Sequence, residues 1–234
     1  MMNPSRHILQ DFDAALHSLR ADVLMMASLT DRNLQNAMAC LLDSNIELCA
    51  VAVADELEID ELEKKIDSDG VEILLRFQPV ASDLRHVIST MKVSANLERI
   101  ADQAVRVAQR ARKLTMPSVA EDAHALGPMF VEATSLFRDS VRAFADEDVI
   151  LARTIKDRDR EIDQINHDIT DDFSEKMAVH PERITDYVNL IFIARHLERV
   201  GDHAKNIGEE AVYATEAEDI RHRRAEVPAE EPAS

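Results

Sequence analysis

The sequence predicts an all-α fold: two tandem antiparallel three-helix bundles, six long helices in all, produced by an internal duplication. Three observations carry that expectation. Apolar residues recur at helical spacing over long runs, as at Phe12, Ala15, Leu16, Leu19, Val23 and Met26. The 234 residues include 4 glycines, 7 prolines, 2 tyrosines and no tryptophan, whereas sheet proteins use turn formers and aromatics heavily. The stretch LERIAD at 97–102 returns 100 positions later as LERVGD at 197–202.

The first helix is expected over 5–41. Ser28, Thr30, Asp31 and Asn33 weaken its pattern, but no glycine or proline interrupts it. Ser44 and Glu47 then have capping-box spacing, which opens a second helix over 45–76. Within that helix Gly70 reads as a looser last turn. Pro79 breaks the chain before a third helix over 80–114, and TMPS at 115–118 separates the halves. The plan then repeats, with helices over 119–144, 149–179 and 182–213 split by ADED and by His180–Pro181. Helices this long, joined by short turns, bury their apolar stripes by running antiparallel. The domains are therefore 5–115 and 118–213. The remainder, 214–234, has few large apolar residues and reads as a disordered tail.

A formal charge of -18, from 45 acids against 27 bases, argues against nucleic acid and anionic lipid as partners, since both select a basic surface. No apolar run reaches the roughly 20 residues that span a bilayer, and the N-terminus lacks an export pattern. Cytoplasmic residence without membrane insertion is the expectation. Cys40 and Cys49 read as two buried thiols, not a redox pair.

The repeated motif places acids four residues apart on one helix face: Glu98 with Asp102, and Glu198 with Asp202. The preceding helices hold matching pairs, Glu56 with Asp60 and Asp159 with Asp163. Folding the chain about Pro79 sets residue 60 opposite 98 and 56 opposite 102. Folding it about His180–Pro181 sets 163 opposite 198 and 159 opposite 202. Four carboxylates so gathered could hold hard or intermediate cations through oxygen. Equally, they could form a charged face balanced by Arg99 and Arg199. His203, beside Asp202, could approach a metal or face solvent; His196 and His86 read as surface or satisfied edge residues.

The acid spacing is not the Glu plus Glu-x-x-His set of diiron oxidases, and no paired-His zinc motif occurs. Without a phosphate loop or nucleophile motif, the chain is not expected to be an enzyme, a metal-dependent phosphohydrolase being the rival reading. A helical metal-binding scaffold without a phosphate role is the third.

The chain resembles the PhoU-type regulators of bacterial phosphate uptake. HILQDFDAAL, DELEIDELEKKI, LRFQPVASDLRHV, NLERIADQA, DRDREIDQI and HLERVGDHAKNI carry the resemblance. It implies tandem three-helix bundles, often homodimeric, that bind iron or zinc, or else magnesium or manganese, at Glu56, Asp60, Glu98 and Asp102 and at Asp159, Asp163, Glu198 and Asp202. It also implies regulation by contact with the ATP-binding subunit of a phosphate ABC transporter and with a phosphate-sensing histidine kinase. Phosphate would then reach the protein by bridging bound cations, as no anion nest is legible. Ala101 and Gln103 depart from the family's usual Gly and His, which Gly201 and His203 keep, so the second acid set is the stronger metal candidate. Asp55 competes with Glu56 as the upstream acid.

Overall fold

The computed structural model describes residues 4–43, 45–114 and 121–221. Six long helices follow in chain order: α1 Pro4–Leu42, α2 Ile46–Phe77, α3 Ala81–Ala111, α4 Gly127–Asp146, α5 Val149–Val179 and α6 Ile184–Glu216. Single 3-10 turns stand at His124–Leu126 and Pro181–Arg183. Helices α1, α2 and α3 pack on one another as one bundle, and α4, α5 and α6 as the other. The fold is all-α, two tandem three-helix bundles.

Local chemistry explains the ends. Asn45 caps α2, its side chain accepting from the backbone N–H groups of Glu47 and Leu48. Ser44, the expected cap, lies outside the described residues, as does the 115–118 separator. Helix α2 stops at Gln78, whose φ of 50° turns the chain and whose N–H bonds Leu74 O, just before Pro79. Asp148 caps α5 by accepting from Leu151 N at 2.9 Å.

Three expectations need correcting. Helix four is interrupted within the described residues, after 121–123. Pro128 has no N–H to give to the carbonyl of residue 124, so a 3-10 turn forms at His124–Leu126 and α4 begins afresh at Gly127. Gly70 loosens nothing: a Cβ there would lie 2.6 Å from Met91 Sδ, so the glycine lets α3 press on α2. The supposed tail is anchored at its start, because α6 runs to Glu216, Ile220 is buried, and Arg153 reaches Glu216 and Glu218. Residues 222–234 lie outside the described set.

The cysteines are also corrected. Cys40 and Cys49 form a disulfide, with Cα atoms 5.4 Å apart, and both are buried. They stand at mirror positions about the α1–α2 turn, and an antiparallel hairpin brings mirror positions face to face. The polar patch in α1 is satisfied and does not break the helix. Thr30 Oγ1 donates to Met26 O at 2.9 Å, and buried Asn33 donates to Ala52 O at 2.6 Å.

The bundles meet chiefly along α3 and α6. Val93, Leu97, Ile100, Ala104 and Val107 on α3, and Ile193, Leu197, Val200, Ala204 and Ile207 on α6, are all buried in one core cluster. Between them runs a ladder of polar pairs. Ser89 meets Glu210 (3.0 Å), Asn96 meets His203 (3.2 Å), Gln103 meets His196 (2.9 Å) and Arg110 meets Asn189 (3.2 Å). The α3 members are seven residues apart, the α6 members likewise in reverse, so α3 and α6 are antiparallel with a heptad of polar rungs. Each fully buried aliphatic side chain contributes roughly 1.5–3 kcal/mol. A hydrogen-bonded rung contributes about 1 kcal/mol. The aliphatic stripes therefore hold the halves together, and the rungs set their register.

Candidate metal centre

The mirrored packing of α2 on α3 brings Glu56, Asp60, Glu98 and Asp102 into one electrostatic set. Glu56 is pushed up to about 7 from 4.5, first by burial, then by a hydrogen bond with Asp102 and the charges of Asp102, Asp60 and Glu98. Burial, with Asp102, Glu63 and Asp60, raises Glu98 against the pull of Arg99. Pairing of 56 with 102 and of 60 with 98 is what folding about Pro79 predicts. Glu63, not anticipated, joins the edge of this set; burial and then Asp67 and Asp60 raise it. Its signal was available: it lies one turn beyond Asp60.

Asp55 does not belong to the set. It turns toward α1, where Arg32 grips both its oxygens, at 2.7 and 3.1 Å, and Asn36 donates at 3.3 Å. The bases flanking the acids touch only the outer members, Arg99 at 3.4 Å from Glu98 and Arg106 at 3.4 Å from Asp102. Among the described residues, no ion pair reaches Glu56 or Asp60.

The second set differs in one residue. Asp159, Asp163, Glu198 and Asp202 again share a surface of the α5–α6 pair, and burial followed by Asp163 and Asp202 raises Glu198. Here Lys205 enters. Its ammonium bonds Asp159, which is 4% exposed, and Asp202 at 2.8 Å. Burial pulls Lys205 down, but those two carboxylates outweigh it and hold it above its ordinary value. Asp159 is nonetheless raised, burial outweighing Lys205, with Asp202 and Asp163 adding. Position 105, its equivalent in the first half, is valine. Lys205 was legible three residues after Asp202 on the same helix, and the sequence reading passed over it.

Gly201 and Ala101 also acquire reasons. A Cβ on Gly201 would stand 2.9 Å from Ile162 Cδ1 and 3.1 Å from Asp159 Oδ1, so glycine admits the short Asp159 to the helix surface. The first half has Ala101 with the longer Glu56, a matched exchange. The histidines serve the seam between halves. Burial, then Arg199, Arg106, Arg110 and Arg195, lower His196 to about 4. His203 is lowered chiefly by burial and contacts Asn96 across the seam. His196, expected at an edge, is buried, because Gln103 supplies its partner.

Among the described residues, no three His, Cys, Asp or Glu side chains stand close enough to hold one ion in this conformation. Like charges hold one another apart when nothing lies between them. Both sets consist of oxygen donors, which suit hard and intermediate cations.

The strain on Glu56 has a measurable sign. Its folded carboxyl keeps a proton to about pH 7, whereas the unfolded one releases it near 4.5, so the fold loses stability as pH rises across that window. In chelator, Glu56→Gln is expected to melt higher than the wild type at pH 7.5 and to lose that margin at about pH 4.5. Circular dichroism melts check this; the same margin at both pH values contradicts it.

The PhoU domain family matches residues 23–111 and 126–211 of the chain. A phosphate-specific transport system accessory protein PhoU homolog from Pseudomonas putida is 33% identical over 222 residues, covering 93% of this chain and 86% of the relative. The crystal structure of PhoU from Pseudomonas aeruginosa has a TM-score of 0.81 at 30% identity, covering 88% of this chain and 100% of that one. The phosphate transport system regulatory protein PhoU from Streptococcus pneumoniae has a TM-score of 0.82 at 27% identity, with 89% and 99% covered. Tandem bundles, repeated acid motif and family match agree, and the chain belongs to the PhoU family of phosphate-transport regulatory proteins.

Proposed function

We propose that this chain regulates phosphate uptake and phosphate-starvation signalling through protein contact, as a homodimer with cations bound on its acid sets. Its partners in this reading are the ATP-binding subunit of a phosphate ABC transporter and a phosphate-sensing histidine kinase. The role of the family in regulating phosphate transport supports it, as does the absence of a membrane-crossing helix among the described residues.

The observation that carries the metal part is the first set's inner pair: no ion pair reaches Glu56 or Asp60 among the described residues, and burial, then Asp102, Asp60 and Glu98, lift Glu56 to about 7. A divalent or trivalent ion, iron, zinc, manganese or magnesium, would replace that repulsion with attraction once the carboxylates turn inward. In the second set Lys205 already supplies a cation. This reverses the order suggested by Gly201 and His203: the first set is the stronger metal site.

Elemental analysis of gently purified protein tests the order. Glu56→Gln/Glu98→Gln should lose more metal than Asp159→Asn/Asp202→Asn, and equal losses would remove the ranking. The regulatory reading is tested by size-exclusion chromatography with the purified ATP-binding subunit. A shared peak is expected; separate elution with both metal-loaded and chelated protein would sink that partner.

A further inference from the structure

A cavity of about 260 Å³ opens where the C-terminal end of α3 lies against the middle of α6. Arg106 and Arg110 line it from α3, Lys113 from the turn that follows, and Arg195, His196 and Arg199 from α6. It holds five cationic side chains and no carboxylate in its lining, in a chain of net charge -18. Among the described residues, one carboxylate stands at ion-pair distance from any of the five: Asp102, 3.4 Å from Arg106.

Two bland explanations are inadequate. Basic residues at the end of α3 complement its negative terminus, which accounts for Arg110 and Lys113 but not for Arg195 and Arg199, well inside α6. Nor does the fold demand the charge. The duplication supplies a twin groove at the other end of the same helix pair, of about 160 Å³ and lined by Lys92, Glu209, Glu210, Tyr213, Asp219 and Arg221. Gln109, Arg110 and Lys113 of the basic groove correspond, 100 residues on, to Glu209, Glu210 and Tyr213. The same architecture therefore carries a mixed lining of acids and bases at one end and bases without acids at the other.

The basic groove is also held in shape. Arg110 lies 4.2 Å over the Phe192 ring and donates to Asn189 at 3.2 Å. His196 beneath it is fixed by Gln103 at 2.9 Å. A cluster of cations this dense costs self-repulsion that a bound anion relieves. Salt screening over about 10 Å keeps the acids elsewhere on the protein from cancelling it. The volume falls below the roughly 300–1,000 Å³ of pockets that take drug-sized ligands. It suits a small, multiply charged ion.

We propose that this groove binds a free phosphate-type oxyanion, inorganic phosphate or pyrophosphate, directly on arginine and lysine. No carboxylate of either acid set lines the site, which touches the first set only through the Arg106–Asp102 pair, so anion binding there requires no metal. It gives phosphate a route to the protein other than the expected bridge through bound cations.

Isothermal titration of inorganic phosphate and of pyrophosphate into chelator-treated protein tests it. Saturable binding of at least one is expected. It should weaken tenfold or more in Lys113→Gln/Arg195→Gln, whose two side chains are exposed and whose melting temperature should stay near that of the wild type. Asp159→Asn/Asp202→Asn should bind as the wild type does. No heat with either anion, or unchanged affinity in the folded double variant, overturns the site. Binding that appears only with metal present, and survives Lys113→Gln/Arg195→Gln, moves the anion to the acid sets and also overturns it. A phosphoserine peptide that binds tenfold tighter than both free anions overturns the free-ion assignment.

Discussion

Lys205→Ala is expected to destabilise the metal-free protein by about 2–4 kcal/mol near pH 8, and by much less near pH 5. Asp159 is buried, and Lys205 is the cation bonded to it. Removing the ammonium leaves a carboxylate with Asp202 and Asp163 as its charged neighbours, the arrangement that raises it already. At low pH the carboxyl takes a proton and the loss shrinks; at high pH it must ionise unpaired. Urea unfolding at the two pH values measures the difference. The variant should also become metal-responsive, since the buried acid of its second set would then lack an ion-pair partner, as Glu56 does in the first. Added Mn²⁺ should recover much of the lost stability in proportion to ligand concentration over Kd. A pH-independent loss with no response to metal would show that Lys205 acts through packing of its stem.

Breaking the Cys40–Cys49 bond is expected to cost about 2–3 kcal/mol, because it closes a short loop in the unfolded chain. The chain should remain folded without it, as the core cluster draws on all six helices. Urea midpoints of the oxidised protein, the reduced protein and Cys40→Ser/Cys49→Ser measure the cost. The reduced and doubly substituted forms should agree; an oxidised protein no more stable than either would contradict the contribution assigned to the bond. In a reducing compartment the same positions are two thiols on facing turns.

Periodicity and proline breaks were enough for the six helices, and α5 begins and ends where its pattern does. The acid sets were legible for the same reason: antiparallel helices joined by a tight turn equate distance from the turn with height. That rule also pairs Cys40 with Cys49, and the cysteines were misread because it was not applied to them. Lys205 and Glu63 were visible as neighbours one turn away, but their direction depends on which face of a helix meets its partner. Asp55 shows the same limit: one residue from Glu56, it serves a different helix. The basic groove depends on α3 meeting α6, a contact between halves that no turn links. Spacing within a half says nothing of it.

The polar rungs along α3 and α6 bear on whether two copies could trade halves. If α3 paired with α3 of a second molecule in the equivalent alignment, Asn96 would meet Gln103 tolerably, but Lys92 would lose Glu210 and face Arg110. If α6 paired with α6, His196 would confront His203, and Glu210 would exchange Lys92 and Ser89 for Phe192 and Asn189. Each like-with-like match strands a charge or opposes two bases, at a cost the native pairing avoids. The two halves began as copies and now recognise each other better than either recognises itself. Divergence along one helix pair has turned a repeated sequence into a lock and its key.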